Sequence, residues 1–252
     1  MKCCVVIPAR FASSRLPRKM LLAATGKPLI QHTYEAACRA ERPATVVVAT
    51  DHPAIVSAVQ AFGGRVVMTS PGCASGADRV AEVAREMPDY DIVVNVQGDE
   101  PEIDPAAIDL AAELLDRDPS APVATLSAPI RDADRLADPA NVKVVCDHAG
   151  RALYFSRSPI PFARDTPTPL VHTEPAVYHQ HLGLYAYRRE FLLRLAELPP
   201  SPLEQIEKLE QLRLLQAGEP IAVGSVPYAT PGIDTADDYS AFVRRVSRRQ
   251  AA

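Results

Sequence analysis

Short hydrophobic, β-branched runs alternate with longer amphipathic segments over the first hundred residues. The runs are Cys4–Ile7, Thr45–Ala49, Arg65–Met68 and Ile92–Val96, and the segments between them are Pro28–Ala40, Pro53–Phe62 and Gly76–Met87. Runs that are hydrophobic throughout are typical of strands buried on both faces of a parallel sheet. The alternation therefore predicts right-handed βαβ units. Because ligands bind beyond the carboxyl ends of such strands, residues 8–10, 50–51 and 97–99 should share one edge.

The pattern changes in the second half of the chain. A helix at Ala106–Leu115 and a strand at Val123–Ala128 are followed by strand-like runs at 141–146, 152–156 and 180–187. The turn-rich residues 147–150 are typical of a hairpin connection. These features predict a mixed-sheet insertion, roughly 141–187, that acts as a lid or a dimer surface. Since no repeat or clear linker is present, we expect one domain over residues 1–252.

The remaining segments predict two helices around one more strand. Ser201, Pro202 and Glu204 form the pattern of a capping box with a first-turn proline. An apolar stripe then runs to Leu215 and predicts one helix that ends at Gly218. A strand at 221–226 leads into a C-terminal helix, whose arginine cluster at 244–249 complements the helix dipole.

Composition excludes several classes of protein. The 252 residues carry a net charge of −4, with 47% hydrophobic and 23% charged residues, which is ordinary for a soluble globular protein. The acidic balance argues against general nucleic-acid binding. No apolar run approaches membrane-spanning length, and the apolar N-terminus has no cleavage region behind it. We therefore expect a cytoplasmic protein without membrane insertion.

A basic loop follows the first predicted strand. Arg10, Arg15, Arg18 and Lys19 lie within ten residues, among small and hydroxyl side chains. A strand that runs into such a loop and then a helix is how α/β folds bind phosphates. The loop lacks the glycines of a Walker A sequence. From charge alone, a phosphate-binding loop and a solvated basic surface are equally good interpretations.

Two aspartates are candidate metal ligands at the same edge. Asp99 follows a fully apolar strand, where its carboxylate could carry Mg²⁺ to a phosphate or could cap the turn at Pro101. Asp234 precedes the C-terminal helix, and taken alone it is better interpreted as a helix cap. Residues 73–79 form a small-residue loop that could hold a base or could be a capped turn. Farther along, His181 and Tyr185 have the spacing of one strand face, which fits a site wall or ordinary packing equally well.

Taken together, several segments resemble one family. They are residues 7–19 (IPARFASSRLPRK), 49–52 (ATDH), 75–79 (SGADR), 94–101 (VNVQGDEP), 152–157 (ALYFSR), 181–185 (HLGLY), 201–204 (SPLE), 210–213 (EQLR) and 232–235 (GIDT). In this order they resemble the 3-deoxy-manno-octulosonate cytidylyltransferase (CMP-Kdo synthetase) family. No single segment is specific, but the set spans nearly the whole chain.

The resemblance implies an α/β, Rossmann-like nucleotidyltransferase fold. In this fold a mostly parallel central sheet has helices on both faces and a smaller mixed-sheet insertion. The implied reaction transfers CMP from CTP to the anomeric hydroxyl of 3-deoxy-D-manno-octulosonate (Kdo), giving CMP-Kdo and pyrophosphate for lipopolysaccharide biosynthesis. The resemblance also implies Mg²⁺ as cofactor and a cytoplasmic homodimer.

The resemblance further assigns roles to residues. Arg10, Arg15 and Lys19 would bind the triphosphate, and Lys19, Arg15 and Asp99 would be catalytic. The rest of the implied nucleotide-binding set is Ala9, Ser13, Ser75, Gly76 and Arg79, the last three near the cytosine, with Gln97 near the ribose. Asp99 and Asp234 would hold the metal. The sugar pocket would comprise Arg157, His181, Tyr185, Glu210 and Gln211.

The chain departs from the family pattern at four positions. Arg18 and Met20 stand where the family often has glycine and proline, and Ala77 and Asp78 stand where it has threonine and often glutamate. Arg18 either adds a phosphate contact or faces solvent. Ala77 removes a hydroxyl near the expected base site.

The sequence leaves two alternatives to Kdo transfer. The first is a cytidylyltransferase for a related acidic sugar, 8-amino-Kdo or a sialic acid; sialate enzymes usually have a more glycine- and lysine-rich first loop. The second is a nucleotide-binding protein without catalysis, against which the presence of Asp99, Asp234 and Lys19 argues.

Overall fold

The computed structural model describes residues 1–250 except 14, 74, 167–169 and 196. Ser14 of the basic loop, Ala74 of the small-residue loop and part of the predicted insertion therefore lie outside the described residues. The chain divides into two compact units, Met1–Asp109 with Thr230–Ala252, and Leu110–Ala229. The second unit includes more residues than the predicted insertion at 141–187. The single domain with a dimerisation insertion stays a prediction.

The first unit contains the predicted parallel strands. They are β1 (Cys3–Ala9), β2 (Pro43–Thr50), β3 (Val66–Met68) and β4 (Ile92–Asn95), with α1 (Leu29–Ala37), α2 (Pro53–Ala61), α3 (Gly76–Arg85) and the start of α4 (Pro105–Arg117) between and after them. The strand order is β3-β2-β1-β4, and every pairing is parallel. β1 is buried along its whole length, as its continuous hydrophobicity predicts. The predicted βαβ organisation is confirmed.

The second unit is a mixed sheet with short helices. Its elements are β5 (Val123–Pro129), α5 (Ala133–Ala137), β6 (Lys143–Cys146), β7 (Ala152–Ser156), β8 (His179–Arg188), α6 (Arg189–Leu195), α7 (Pro202–Glu207), α8 (Gln211–Gln216) and β9 (Ile221–Ser225). β5 pairs with β9 in parallel and with β8 antiparallel, and β6 forms the predicted hairpin with β7. The sequence analysis did not predict α5, α6 or a 3-10 turn at Lys19–Leu21.

The prediction of one continuous helix from Ser201 to Gly218 is wrong. Its start is confirmed, because Ser201 and Glu204 form a reciprocal capping box. The chain then breaks at Lys208, which has a left-handed φ of 55°. Arg157 accounts for the break, since its guanidinium donates to the carbonyls of Glu207 (2.7 Å) and Lys208 (3.3 Å). These carbonyls are thus held by a distant side chain instead of a continuing helix.

The C-terminal helix α9 (Ala236–Gln250) completes the first unit. Phe242 and Ile233 pack with Leu29 of α1 in a buried cluster. Arg245 and Arg249 both pair with Glu102, so half of the arginine cluster has a structural partner besides the helix dipole. None of the helices in the described part of the chain has the length and hydrophobicity of a membrane-spanning segment.

Gly98 allows three segments of the first unit to approach closely. Its carbonyl accepts a hydrogen bond from the Thr33 hydroxyl at 2.8 Å. A Cβ at this position would lie 2.9 Å from the Pro8 carbonyl oxygen and 3.1 Å from the Met20 sulfur. Backbone at this distance cannot move aside cheaply, so only glycine fits.

We predict that Gly98→Ala lowers the free energy of unfolding by about 1–3 kcal/mol, because the added methyl overpacks the contact with Pro8. Urea denaturation measures the change. Gly232→Ala is the matched control, since a Cβ there meets nothing within 4 Å. A Gly98→Ala protein as stable as the control would contradict this account of the close approach.

Candidate active site

A cleft of about 340 Å³ opens in the first unit beyond the carboxyl ends of β1 and β4. Its walls are Pro8, Arg10, Ala12, Ser13, Arg15, Lys19, Met20, Gly76, Gln97, Gly98, Asp99 and Asp234. Eight of these residues belong to the predicted nucleotide and metal sets. The prediction that residues 8–10 and 97–99 share one edge is therefore confirmed. Pro8 and Gly98 belong to those ranges, although no role was assigned to them. Sequence reasoning missed Ala12, which lies inside a quoted segment, and Met20, which directly follows that segment.

Lys19 lies at the centre of the charged part of this cleft. Its side chain is only 7% exposed. The ammonium nitrogen lies 2.6 Å from Asp99 Oδ2, 2.6 Å from the Ile233 carbonyl oxygen and 3.1 Å from Asp234 Oδ1. An ammonium group has three hydrogens to donate, and three acceptors surround this one. The desolvated charge is thus fully compensated.

The backbone N–H of Asp234 donates to the Asp238 carboxylate, and the Asp234 carboxylate pairs with a second cation, Arg15. Arg15 Nη2 lies 3.0 Å from Asp234 Oδ1, with both side chains largely exposed. Capping of α9 is done by Thr235, whose hydroxyl accepts from the Asp238 backbone N–H, while the Asp238 carboxylate accepts from the backbone N–H groups of residues 234 and 235. The interpretation of Asp234 as the helix cap is therefore wrong, and its carboxylate remains at the cleft.

The two aspartates fit a Mg²⁺ ion that arrives with a phosphate. Both carboxylates contact the same ammonium group, so they lie close together, and their side chains are 29% and 47% exposed. No group of three or more His, Cys, Asp or Glu suited to a metal occurs among the described residues. Mg²⁺ commonly takes one or two protein carboxylates and completes its shell with phosphate oxygens and water. The donor set is adequate for that mode of binding.

Helix α3 begins beside the cleft. Ser75 and Asp78 form a reciprocal capping box, so aspartate serves where the family often has glutamate. Gly76 lines the cleft, and the positive end of a helix favours anions. This arrangement adds to the cationic character that Arg10, Arg15 and Lys19 give the site.

Three residues of the predicted nucleotide-binding set do not line the cleft. The side chain of Ala9 is completely buried in β1. Ser75 is engaged in its cap. Arg79 is 1% exposed, and its guanidinium donates to Asp51 Oδ2 at 2.7 Å and to the hydroxyl of Thr69. Arg79 therefore fastens the start of α3 to the end of β2 through its ion pair with Asp51.

Arg18 lies outside the cleft lining. It has a left-handed φ of 55°, where glycine would be unstrained. Its guanidinium carbon lies 5.7 Å from the centre of the Phe11 ring, and Phe11 stacks on His52 at 3.6 Å. The side chain of Arg18 is exposed, as the solvent-facing alternative predicts.

The predicted sugar-pocket residues all belong to the second unit. The rings of His181 and Tyr185 lie 5.4 Å apart, as one-face spacing predicted. Burial lowers the pKa of His181 to about 3, so the ring is neutral. Burial, and then the charge of nearby Glu210, raises the pKa of Tyr185 well above its usual value. Gln211, which is also buried, follows Glu210 at the start of α8.

Backbone carbonyls accept part of the hydrogen-bonding capacity of Arg157. Its Nε and its two terminal nitrogens donate to the carbonyls of Glu207, Pro139 and Lys208. A guanidinium has five N–H groups, so two remain for a ligand within the described surroundings. Arg157 therefore has a structural role that sequence reasoning missed, in addition to the role that the resemblance implies.

Comparisons with known proteins agree over nearly the whole chain. A family model of cytidylyltransferases matches residues 4–221. A 3-deoxy-manno-octulosonate cytidylyltransferase of Rhodopirellula baltica is 53% identical over 98% of this chain and 99% of its own length. One of Geobacter metallireducens is 47% identical, over 99% and 100%. The solved structure of a CMP:2-keto-3-deoxy-manno-octonic acid synthetase in complex with CTP has a TM-score of 0.91 and 45% identity, covering 99% of this chain and 100% of that one.

These matches confirm the predicted α/β nucleotidyltransferase fold, with its mostly parallel central sheet and flanking helices, and they confirm that the chain is an enzyme of the transferase class. At this identity and coverage, the chain belongs to the 3-deoxy-manno-octulosonate cytidylyltransferase family.

Proposed function

We propose that this enzyme transfers CMP from CTP to the anomeric hydroxyl of Kdo and releases pyrophosphate. The observation that carries the proposal is the cluster of Lys19, Asp99 and Asp234 in a cationic cleft. The cluster would supply two carboxylates for a metal, and Lys19, together with Arg10 and Arg15 of the cleft, would supply the cations for a triphosphate. The names of the relatives and the CTP in the similar solved structure support the choice of nucleotide and sugar.

The cleft residues would act by positioning and charge. Arg10, Arg15 and Lys19 would neutralise the triphosphate, and the helix N-terminus at Gly76 would add backbone donors. The anomeric hydroxyl oxygen attacks the α-phosphorus and loses its proton to solvent, a new O–P bond forms, and the bond to the pyrophosphate oxygen breaks. Because phosphoryl-type transfer needs little covalent chemistry from the protein, stabilising the charge that develops on pyrophosphate is the main contribution.

We also propose Mg²⁺ as the cofactor, held by Asp99 and Asp234. When bound, this ion would polarise the phosphate oxygens and neutralise part of their charge. The homodimer and the cytoplasmic location that the resemblance implies stay predictions.

In the sugar pocket, Arg157 would meet the substrate carboxylate. Its two remaining N–H groups suit a carboxylate, which accepts charge-assisted hydrogen bonds. His181, Tyr185, Glu210 and Gln211 would contact the hydroxyl groups of the sugar. This division of roles matches an acidic, polyhydroxylated substrate.

The direct test is pyrophosphate release from CTP, UTP, ATP and GTP with Kdo, with and without Mg²⁺. Release with CTP, Kdo and Mg²⁺ together, and a CMP-sugar product by mass spectrometry, are expected. No CTP-dependent release with Kdo would refute the proposal. Faster turnover with 8-amino-Kdo or a sialic acid would move the assignment to that sugar.

We predict that Lys19→Met and Arg15→Ala have similar effects on CTP turnover but different effects on the free energy of unfolding. Both should lower kcat/KM for CTP by at least about 100-fold, because each removes a cation at the triphosphate. Lys19→Met should also lower the free energy of unfolding by about 2 kcal/mol, since its partly exposed partner carboxylates lose their counter-charge. Arg15→Ala should change it by less than about 1 kcal/mol, because that ion pair is exposed.

The control for an exposed, ion-paired arginine is Arg164→Ala, whose side chain is 84% exposed beside Asp165. Its stability and kinetics should match the unmodified protein. If Arg15→Ala behaved like Arg164→Ala in the CTP assay, the assignment of Arg15 to the triphosphate site would be wrong.

A further inference from the structure

The β5–β8 pairing skips two residues beside His181. Thr125 of β5 pairs with Tyr185 of β8, whereas the next residue, Leu126, pairs with Leu182. Gly183 and Leu184 therefore have no partners in β5, which is the pattern of a β-bulge. Bulges take backbone carbonyls out of the regular ladder, and those carbonyls need other donors.

Thr125 supplies that donor. Its hydroxyl oxygen lies 2.8 Å from the Leu184 carbonyl oxygen and 3.1 Å from the Leu182 carbonyl oxygen. The same oxygen lies 3.0 Å from Nε2 of His181. All of these groups are buried or nearly so. The hydroxyl therefore has three neighbours and a single hydrogen.

The chemistry of the neighbours decides where that hydrogen goes. Carbonyl oxygens only accept, so the threonine hydrogen must point to them, and the hydroxyl acts on the imidazole solely as an acceptor. Nε2 must then carry a proton. Because the ring is neutral, with a pKa lowered to about 3 by burial, the other nitrogen, Nδ1, carries none.

We propose that Thr125 is a positioning residue that fixes His181 as its Nε2–H tautomer, so that Nδ1 accepts a hydrogen bond from a hydroxyl of the sugar. The inference rests on the proposed function, which puts His181 in the sugar pocket. The opposite tautomer would present an N–H donor, which suits a carboxylate. His181 therefore recognises a hydroxyl and leaves the carboxylate to Arg157.

The tautomer is measured by NMR on protein with ¹⁵N- and ¹³C-labelled histidine. The chain has six histidines, and the spectrum of His181→Gln identifies the signal of His181. We expect a neutral ring with a proton on Nε2, unchanged between pH 5 and 8. A proton on Nδ1, or an imidazolium at neutral pH, would overturn the proposal whatever the enzyme's substrate.

Kinetics test the consequence for the sugar. Thr125→Val removes the hydroxyl at nearly constant volume, and it should lower kcat/KM for Kdo about 10-fold through KM for Kdo, with KM for CTP unchanged. Thr125→Ser keeps the hydroxyl and should have the KM for Kdo of the unmodified protein. Ser127→Ala is the control, because Ser127 pairs with His181 across the two strands but its buried hydroxyl donates to the Gly224 carbonyl.

The outcomes separate the two hypotheses. If Thr125→Val retained the original KM for Kdo, or if Thr125→Val and Ser127→Ala raised KM for both substrates alike, Thr125 would have only a structural role and the proposal would be wrong. If the unmodified protein failed to turn over CTP with Kdo while its His181 kept the proton on Nε2, the proposed function would fail and the tautomer assignment would stand.

Discussion

The Lys19 ammonium group, desolvated and held by two carboxylates and a carbonyl, is the interaction on which the first unit's site depends. It joins three segments that are far apart in sequence: the basic loop, the turn after β4 and the residues before α9. A buried charge is tolerated only when its hydrogen-bonding capacity is met. Asp99, Ile233 and Asp234 therefore together hold the Lys19 ammonium group in the cleft.

This arrangement also brings the two carboxylates together before any ligand binds. Two like charges at close range repel, and the shared cation offsets that repulsion. Around it, Arg15 and the N-terminus of α3 add positive charge. The site thus combines a cationic surface with the pair of carboxylates that we propose for Mg²⁺, and the fold fixes the placement of both.

The features that sequence predicted correctly depend on neighbouring residues, and those that it missed depend on distant ones. The buried strand at Val5–Ile7 and the capping box at Ser201 are determined by residues next to each other in the sequence. By contrast, the ion pair between buried Arg79 and Asp51 arises from a contact between separate segments, and so do the hydrogen bonds of Arg157 at the helix break. No local sequence pattern predicts these long-range contacts. The family resemblance named eight residues that line the cleft, but it did not distinguish them from Ala9, Ser75 and Arg79, which do not.

The most direct test of the central cluster is the Mg²⁺ dependence of pyrophosphate release in Asp99→Asn. This change keeps an oxygen near Lys19 but removes the negative charge. We expect at least about 100-fold slower turnover at every Mg²⁺ concentration, with the melting temperature and metal-free CTP binding largely retained, since the cations of the cleft are intact. A variant that turns over CTP at the original rate, with the original Mg²⁺ dependence, would contradict the account.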